Sequence, residues 1–292
     1  MSNWCSGGRR RLDLVQGLGI IGVGAMGGAI ARRISASRNL PGSVSCGTIV
    51  LADKRQEHVA TLAQELGLGW LEVQAIPGAV DTIIIAVKPQ DMEQVLADLS
   101  PGLSPDHLLI SLAAGVSLAN LAFWTSPQQS IVRVMPNTPC LIGQGAVVCS
   151  PNAHVSPAQL RTAQDLFAVT GKVWVLPEQQ LDAVTAVSGS GPAYIYVFLE
   201  ALIDGGVTAG LSYQVAAELA VQTILGATQM VAETGKHPAV LKNMVTSPAG
   251  TTAAALRELE AGKLRSVVIE AVLAAAARSQ ALQKSKPEGG NP

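Results

Sequence analysis

Between Val245 and Ala255 the chain reads VTSPAGTTAAA, which sets the hydroxyls of Ser247, Thr251 and Thr252 around one proline and Gly250. Pro248 biases its predecessor away from helical geometry and so ends the helix before it. The Thr251–Thr252 pair then falls at the N-cap of an alanine-rich helix, whose first-turn N–H groups lack intrahelical partners. Those N–H groups, with the three hydroxyls, can hold a carboxylate without any cationic side chain. A plain interhelical turn with a capping threonine uses the same residue types, so the rest of the chain has to decide between them.

A second group with chemistry in it stands near the start. In QGLGIIGVGAMGGAI, Gly22, Gly24 and Gly27 make GxGxxG, with Val23, Ala25 and Met26 between them, after a short apolar strand and before a helical run. In that context the first glycine permits a tight turn, the second lets a pyrophosphate approach the backbone, and the third lets helix and strand pack closely. Asp53 ends the next strand, where an acid would hold the ribose hydroxyls of NAD. Lys54 and Arg55 follow at once and could instead bind the extra phosphate of NADP. Both readings stay open. Val87, Lys88 and Pro89 end another apolar strand, and Asn137 lies in the stiff loop Pro136–Pro139 after a further one. These are the ends where doubly wound sheets bind ligands. A solvated lysine and a rigid proline turn are the plainer readings of the last two.

The elements that must position these residues alternate strand and helix to about Pro177. Strands are expected at Gly47–Asp53, near Trp70–Val73, at Asp81–Pro89, His107–Gly115 and Ser130–Pro139, and in GAVVCS and KVWVLP. This is the pattern of a Rossmann-type α/β domain. From Glu178 the pattern is helical only, with Pro192 near one helix start, Ser212 as an N-cap and Gly235 as a C-terminal stop. Residues 17–177 are therefore expected to form a dinucleotide-binding domain and 178–282 an all-α substrate and dimerisation domain. Residues 1–16 are expected to be a disordered extension and 283–292 a polar tail. The run Tyr194–Leu199 is apolar all round, which predicts a helix buried on every side. Apolar stripes Ala216–Leu219–Ala220–Thr223–Ile224–Ala227–Val231 and Leu264–Val268–Ala271–Ala275 predict burial against a second copy of the chain.

Bulk numbers narrow the field. In 292 residues, hydrophobic side chains make up 48%, charged ones 14% and aromatics 3%, with a net charge of -1. That favours a packed core of small aliphatic residues and gives no electrostatic reason to expect nucleic acid or an anionic membrane as partner. The four cysteines and four histidines are scattered, without metal-ligand spacing. No continuous apolar run looks long enough to cross a bilayer, and MSNWCSGGRRR lacks a secretory hydrophobic segment. A cytoplasmic setting is expected.

GVGAMG, AVKP at Ala86–Pro89, RVMPNTP at Arg133–Pro139, AVSGSGPAY at Ala186–Tyr194 and HPAVLKNMVTSPAGTT at His237–Thr252, in this order, resemble pyrroline-5-carboxylate reductases. The resemblance covers about Gly17 to Leu282. It implies a Rossmann domain, an all-α dimerisation domain, homodimers or rings of dimers, and NADPH- or NADH-dependent reduction of Δ1-pyrroline-5-carboxylate to L-proline. By the same resemblance the substrate carboxylate is held by the Ser247–Thr252 loop, Thr252 lies beside the ring nitrogen, and Glu178 is near the substrate. Three positions depart from the family pattern. Ala25 stands for the usual Asn, Ala249 for the first glycine of SPGGTT, and Asp53 for a small hydroxyl residue suited to NADP. The first two are expected to alter local geometry slightly, and the third suggests that NADH is accepted. Hydride transfer to a C=N bond needs a held imine and excluded water rather than a strong general acid. A β-hydroxyacid dehydrogenase would place a lysine on the helix Gly191–Gly210, which has none. A cofactor-binding regulatory protein without turnover would leave the hydroxyl loop unused.

Overall fold

The computed structural model describes residues 15–37 and 46–284. Most of the expected N-terminal extension and polar tail lies outside them. Two boundary expectations change. Val15 and Gln16 already belong to a strand, in register with Cys46 onward, and Lys284 still belongs to the last helix.

The first half is one sheet of eight strands: β1 Val15–Ile21, β2 Cys46–Ala52, β3 Gly69–Trp70, β4 Thr82–Ile85, β5 Leu108–Ser111, β6 Ser130–Met135, β7 Gly145–Pro151 and β8 Gly171–Val175. Their order is β3-β2-β1-β4-β5-β6-β7-β8. The first six are parallel; β7 pairs antiparallel with β6 and parallel with β8. The connection from β6 to β7 is a single 3-10 turn, Thr138–Ile142. That is too short for the crossover a parallel neighbour needs, so the chain must turn back.

Period-2 alternation splits each buried strand between two cores. Leu18, Ile20, Ile49, Leu51, Ile84, Ile110 and Val132 face helices α1 (Ala25–Ser37) and α2 (Gln56–Leu66), together with Leu166 and Phe167 from a later helix. Ile21, Val50, Ile83, Ile85, Leu109 and Ile131 face α3 (Met92–Leu99) and α4 (Leu118–Phe123) on the other side. The helix supplying Leu166 and Phe167 is α5, Pro157–Ala168. Its start combines Pro157 with a reciprocal capping box between Ser156 and Gln159, which satisfies two otherwise orphaned donors.

Several strands are shorter than their apolar runs. Strand β4 ends at Ile85 and β5 at Ser111, because the residues beyond turn out along the carboxyl edge of the sheet. The strand expected to reach Val73 is only Gly69–Trp70, both exposed, and Val73–Ala75 is a 3-10 turn. Among the described residues β3 is an edge strand of the sheet and pairs with β2 alone.

The helical remainder comprises α6 Leu181–Val184, a π-helical turn Thr185–Gly189, α7 Gly191–Thr208, α8 Tyr213–Thr234, α9 Pro238–Met244, α10 Thr251–Ala261 and α11 Leu264–Lys284. Contacts divide the chain into a unit ending at Gly189 and resuming at Ala276, and a second unit Ser190–Ala275. The sequence boundary at Glu178 thus lies ahead of the compact one. Leu181 and Ala186 are buried in the first unit, and Ser279 donates to Asp182 at 2.6 Å within it.

In the second unit Ser212 caps α8, and Gly235 ends it in the left-handed conformation. Its buried core is small: Ile203, Ala216 and Ala220, with Leu199 and Ala217 against them. Helix α7 is not buried on every side within the chain, for Ile195, Tyr196, Val197 and Phe198 are exposed. Of the expected α8 stripe, Ala216 and Ala220 are buried while Leu219 is exposed; Leu264 and Val268 on α11 are exposed too. Within Glu178–Thr208 and within Tyr213–Thr234 lies an 18-residue window long and apolar enough to cross a membrane by length and composition. An average over a helix tolerates charges such as Glu200, Asp204 and Glu218, so these windows are not continuous apolar runs and leave the expectation about such runs standing.

Candidate functional site

Along the carboxyl edge of the sheet the chain reverses its strand order between β1 and β4, which is where open α/β sheets bind ligands. The three glycines there do different work. Gly22 has φ +86, and a β-carbon on it would lie 2.8 Å from Val87 Cγ1 and 2.9 Å from the Ala86 carbonyl. A β-carbon on Gly27 would lie 2.1 Å from the Gly22 oxygen, so only glycine lets α1 sit this close to β1. Gly24 has open space where its β-carbon would be. Its backbone is bare at the N-terminus of α1, and that is the cradle a diphosphate requires. Ala25 is exposed and Met26 half-buried.

Asp53 follows β2 directly, and its carboxylate faces the glycine turn. Oδ2 accepts from the Val23 N–H at 2.9 Å, and Oδ1 accepts from the Arg55 N–H at 3.0 Å and from Arg55 Nε at 3.1 Å. Burial works against this charge, but the bonds and charge of Arg55 with the Val23 N–H outweigh it and hold Asp53 below the usual carboxylate range. Lys54 reaches both oxygens of Asp91 at 3.3 Å. From α2, His58 donates through Nε2 to the Val23 carbonyl at 2.9 Å. Val23 is therefore held at both of its backbone polar groups.

The remaining edge residues divide. Lys88 is exposed and precedes a 3-10 turn that Pro89 opens. Asn137 is buried, and its amide is already used: Nδ2 donates to the Ser188 carbonyl at 3.1 Å and Oδ1 accepts from Ala146 N–H at 2.9 Å. Its side chain thus ties three segments together. Glu178 Oε1 accepts from Arg133 Nη1 at 2.9 Å and from the Leu118 N–H at 2.7 Å. Among the described residues no three His, Cys, Asp or Glu side chains gather as metal ligands.

In the second unit the hydroxyl loop joins α9 to α10. Thr246 donates to the Lys242 carbonyl at 2.7 Å, closing α9. Gly250 N–H donates to the Ser247 carbonyl at 3.1 Å. Proline at the second position and a positive φ at the third are the marks of a type II turn, and Ala249 has φ +56. A β-carbon on Gly250 would collide with Ser247 Oγ. The N-cap of α10 is Gly250 rather than the threonine pair; the tight turn uses up the preceding residues and pushes both threonines into the first helical turn. Thr251, Thr252 and Ala253 are then the positions whose N–H groups have no carbonyl one turn back.

A family model described as Pyrroline-5-carboxylate reductase dimerisation matches residues 178–282, and one described as NADP oxidoreductase coenzyme F420-dependent matches residues 17–115. Pyrroline-5-carboxylate reductase of Arabidopsis thaliana is 42% identical over 269 residues, covering 92% of this chain and 96% of that protein. The chain belongs to the pyrroline-5-carboxylate reductase family. A Plasmodium falciparum pyrroline carboxylate reductase solved with NADP bound has a TM-score of 0.80 and 33% identity, covering 92% of this chain and 98% of that one. A pyrroline-5-carboxylate reductase from Coxiella burnetii has a TM-score of 0.85 and 32% identity, covering 93% and 100%.

Within a pyrroline-5-carboxylate reductase frame, the departures at Ala249 and Asp53 acquire physical content. The expectation of slightly altered geometry at Ala249 becomes specific. The chain takes the left-handed conformation that glycine adopts freely, at a cost to an L-residue. His58 was missed by the sequence reading, which noted only that the histidines are dispersed. The signal was present, since it lies on the helix after β2, but its partner is a backbone carbonyl that sequence spacing does not reveal.

Proposed function

We propose that this chain reduces Δ1-pyrroline-5-carboxylate to L-proline with NADPH or NADH. The observation that carries the reading is the bare Gly24 backbone at the start of α1, in a chain whose relatives of that name span nine-tenths of its length. The bound dinucleotide supplies the hydride. Gly22, Val23, Gly24, Ala25, Met26 and Gly27 hold its diphosphate, and Val87, Lys88, Pro89 and the Asn137 backbone line the same edge. Ser247, Gly250 and Thr251 hold the substrate carboxylate with the first-turn N–H groups of α10. The Thr252 hydroxyl bonds the ring nitrogen and relays its proton. Glu178 serves the site by fixing Arg133 within β6.

The same proposal includes a homodimer, and rings of dimers built from it. Support comes from the exposed apolar side chains along α7, α8 and α11, the kind of surface that marks an interaction site, and from the match to a dimerisation family.

Purified protein mixed with the imine should consume NADPH or NADH, followed by loss of absorbance. Thr252→Ala should lower kcat by about a hundredfold, the scale of positioned proton transfer, while leaving cofactor affinity nearly unchanged. Equal activity in the two proteins removes Thr252 from the chemistry. Folded, cofactor-binding protein without turnover overturns the reductase reading.

A further inference from the structure

An acid at the end of the second strand ordinarily marks a cofactor with a free ribose diol, because its carboxylate accepts from the two hydroxyls. Here that carboxylate is already filled. A carboxylate has about four acceptor positions, and four N–H donors take them. Val23 N–H at 2.9 Å and Arg55 Nη2 at 3.3 Å lie on Oδ2, and Arg55 N–H at 3.0 Å and Arg55 Nε at 3.1 Å lie on Oδ1. The Asp53 side chain is 6% exposed and that of Arg55 56%. What this corner presents to a ribose is therefore the guanidinium rather than the acid.

We infer that Arg55 sets the cofactor preference of this chain and selects the 2′-phosphorylated form, NADPH, while Asp53 is a positioning residue for the glycine turn. The inference rests on the dinucleotide reading proposed above. Of the five N–H donors of a guanidinium, Arg55 gives two to Asp53, through Nε and Nη2. The others remain for a phosphate, which they match in geometry and charge. A free diol would have to displace Arg55 before it found an acceptor. Asp53 cannot turn toward it without releasing the Val23 N–H, whose residue is anchored on its other side by His58. Lys54 lies next to Arg55 in sequence, but its ammonium is directed to Asp91. Arg55 thus carries the selection.

The test is fluorescence titration of the folded full-length protein with NADPH and with NADH, no imine being present, for wild type, Arg55→Ala and Asp53→Asn. Circular dichroism checks each fold. Wild type should bind NADPH at least about tenfold more tightly than NADH, the scale of one charge-assisted hydrogen bond. Arg55→Ala should bring the ratio close to one, by weakening NADPH and leaving NADH unchanged or tighter. Asp53→Asn should weaken both forms together. Wild type that prefers NADH, or an Arg55→Ala protein that keeps the wild-type ratio, overturns the inference. If folded protein binds neither form, this inference and the cofactor reading fall together. If the preference behaves as described and the imine is not reduced, only the reductase reading falls.

Discussion

At the scale of single residues, the site depends on groups whose chemistry is set by what surrounds them. Cys149 shows the effect without a functional role: burial alone pushes its thiol up to about 12. Below that value the proton stays on, and the protonated thiol is a poor nucleophile. At pH 8 an alkylating reagent should leave Cys149 unmodified in the folded protein and modify it after denaturation, with peptide mapping as the readout. Labelling at the same rate in both states would mean that its cover opens readily. Glu178 and Arg133 show the opposite arrangement, two charges that answer each other. That pairing was not legible in the sequence, because the two residues lie on separate elements 45 positions apart.

At the scale of elements, the loop from α9 to α10 shows a turn imposed on a residue that suits it poorly. Pro248 and Gly250 fit their positions, the first by its fixed φ and the second because Ser247 Oγ leaves no room for a β-carbon. Ala249 takes φ +56, a conformation costing an L-residue roughly 1–2 kcal/mol relative to glycine. Ala249→Gly should therefore stabilise the fold by about 1 kcal/mol, less than the full strain because glycine also gains freedom in the unfolded chain. Chemical denaturation compares the two proteins; a loss of stability would show that the alanine methyl makes a contact worth more than the strain. The helix starts were more legible. Ser212 caps α8 through the Val215 N–H three residues on, a contact within one turn that the local sequence contains.

At the scale of the molecule, the two units differ in how they hide apolar surface. The first buries its strands between two layers of helices. The second has a small buried core of Ile203, Ala216 and Ala220 and leaves Val197, Leu225, Ile269 and Leu273 more than half exposed. A second copy covering these faces should make the protein dimeric or larger at micromolar concentration, as read by size-exclusion chromatography with light scattering. Val197 is 67% exposed in the single chain, so Val197→Asp should disturb the protomer little and shift it toward monomer. A wild-type monomer in aqueous buffer overturns the dimer.

Read alone, the sequence determined what is periodic or local: the alternation of strand and helix, the glycine turn with its helix, the change to helices alone, and the hydroxyl loop. Each of these is decided by neighbours a few residues apart, where side-chain spacing and backbone preference act directly. Only the tertiary structure decided which partner each polar group meets. Asp53 is filled by Val23 and Arg55, and Asn137 is bound to Ser188 and Ala146. Hydrogen bonds act over about 3 Å. Which groups come that close depends on how distant segments pack, and no spacing along the chain states it.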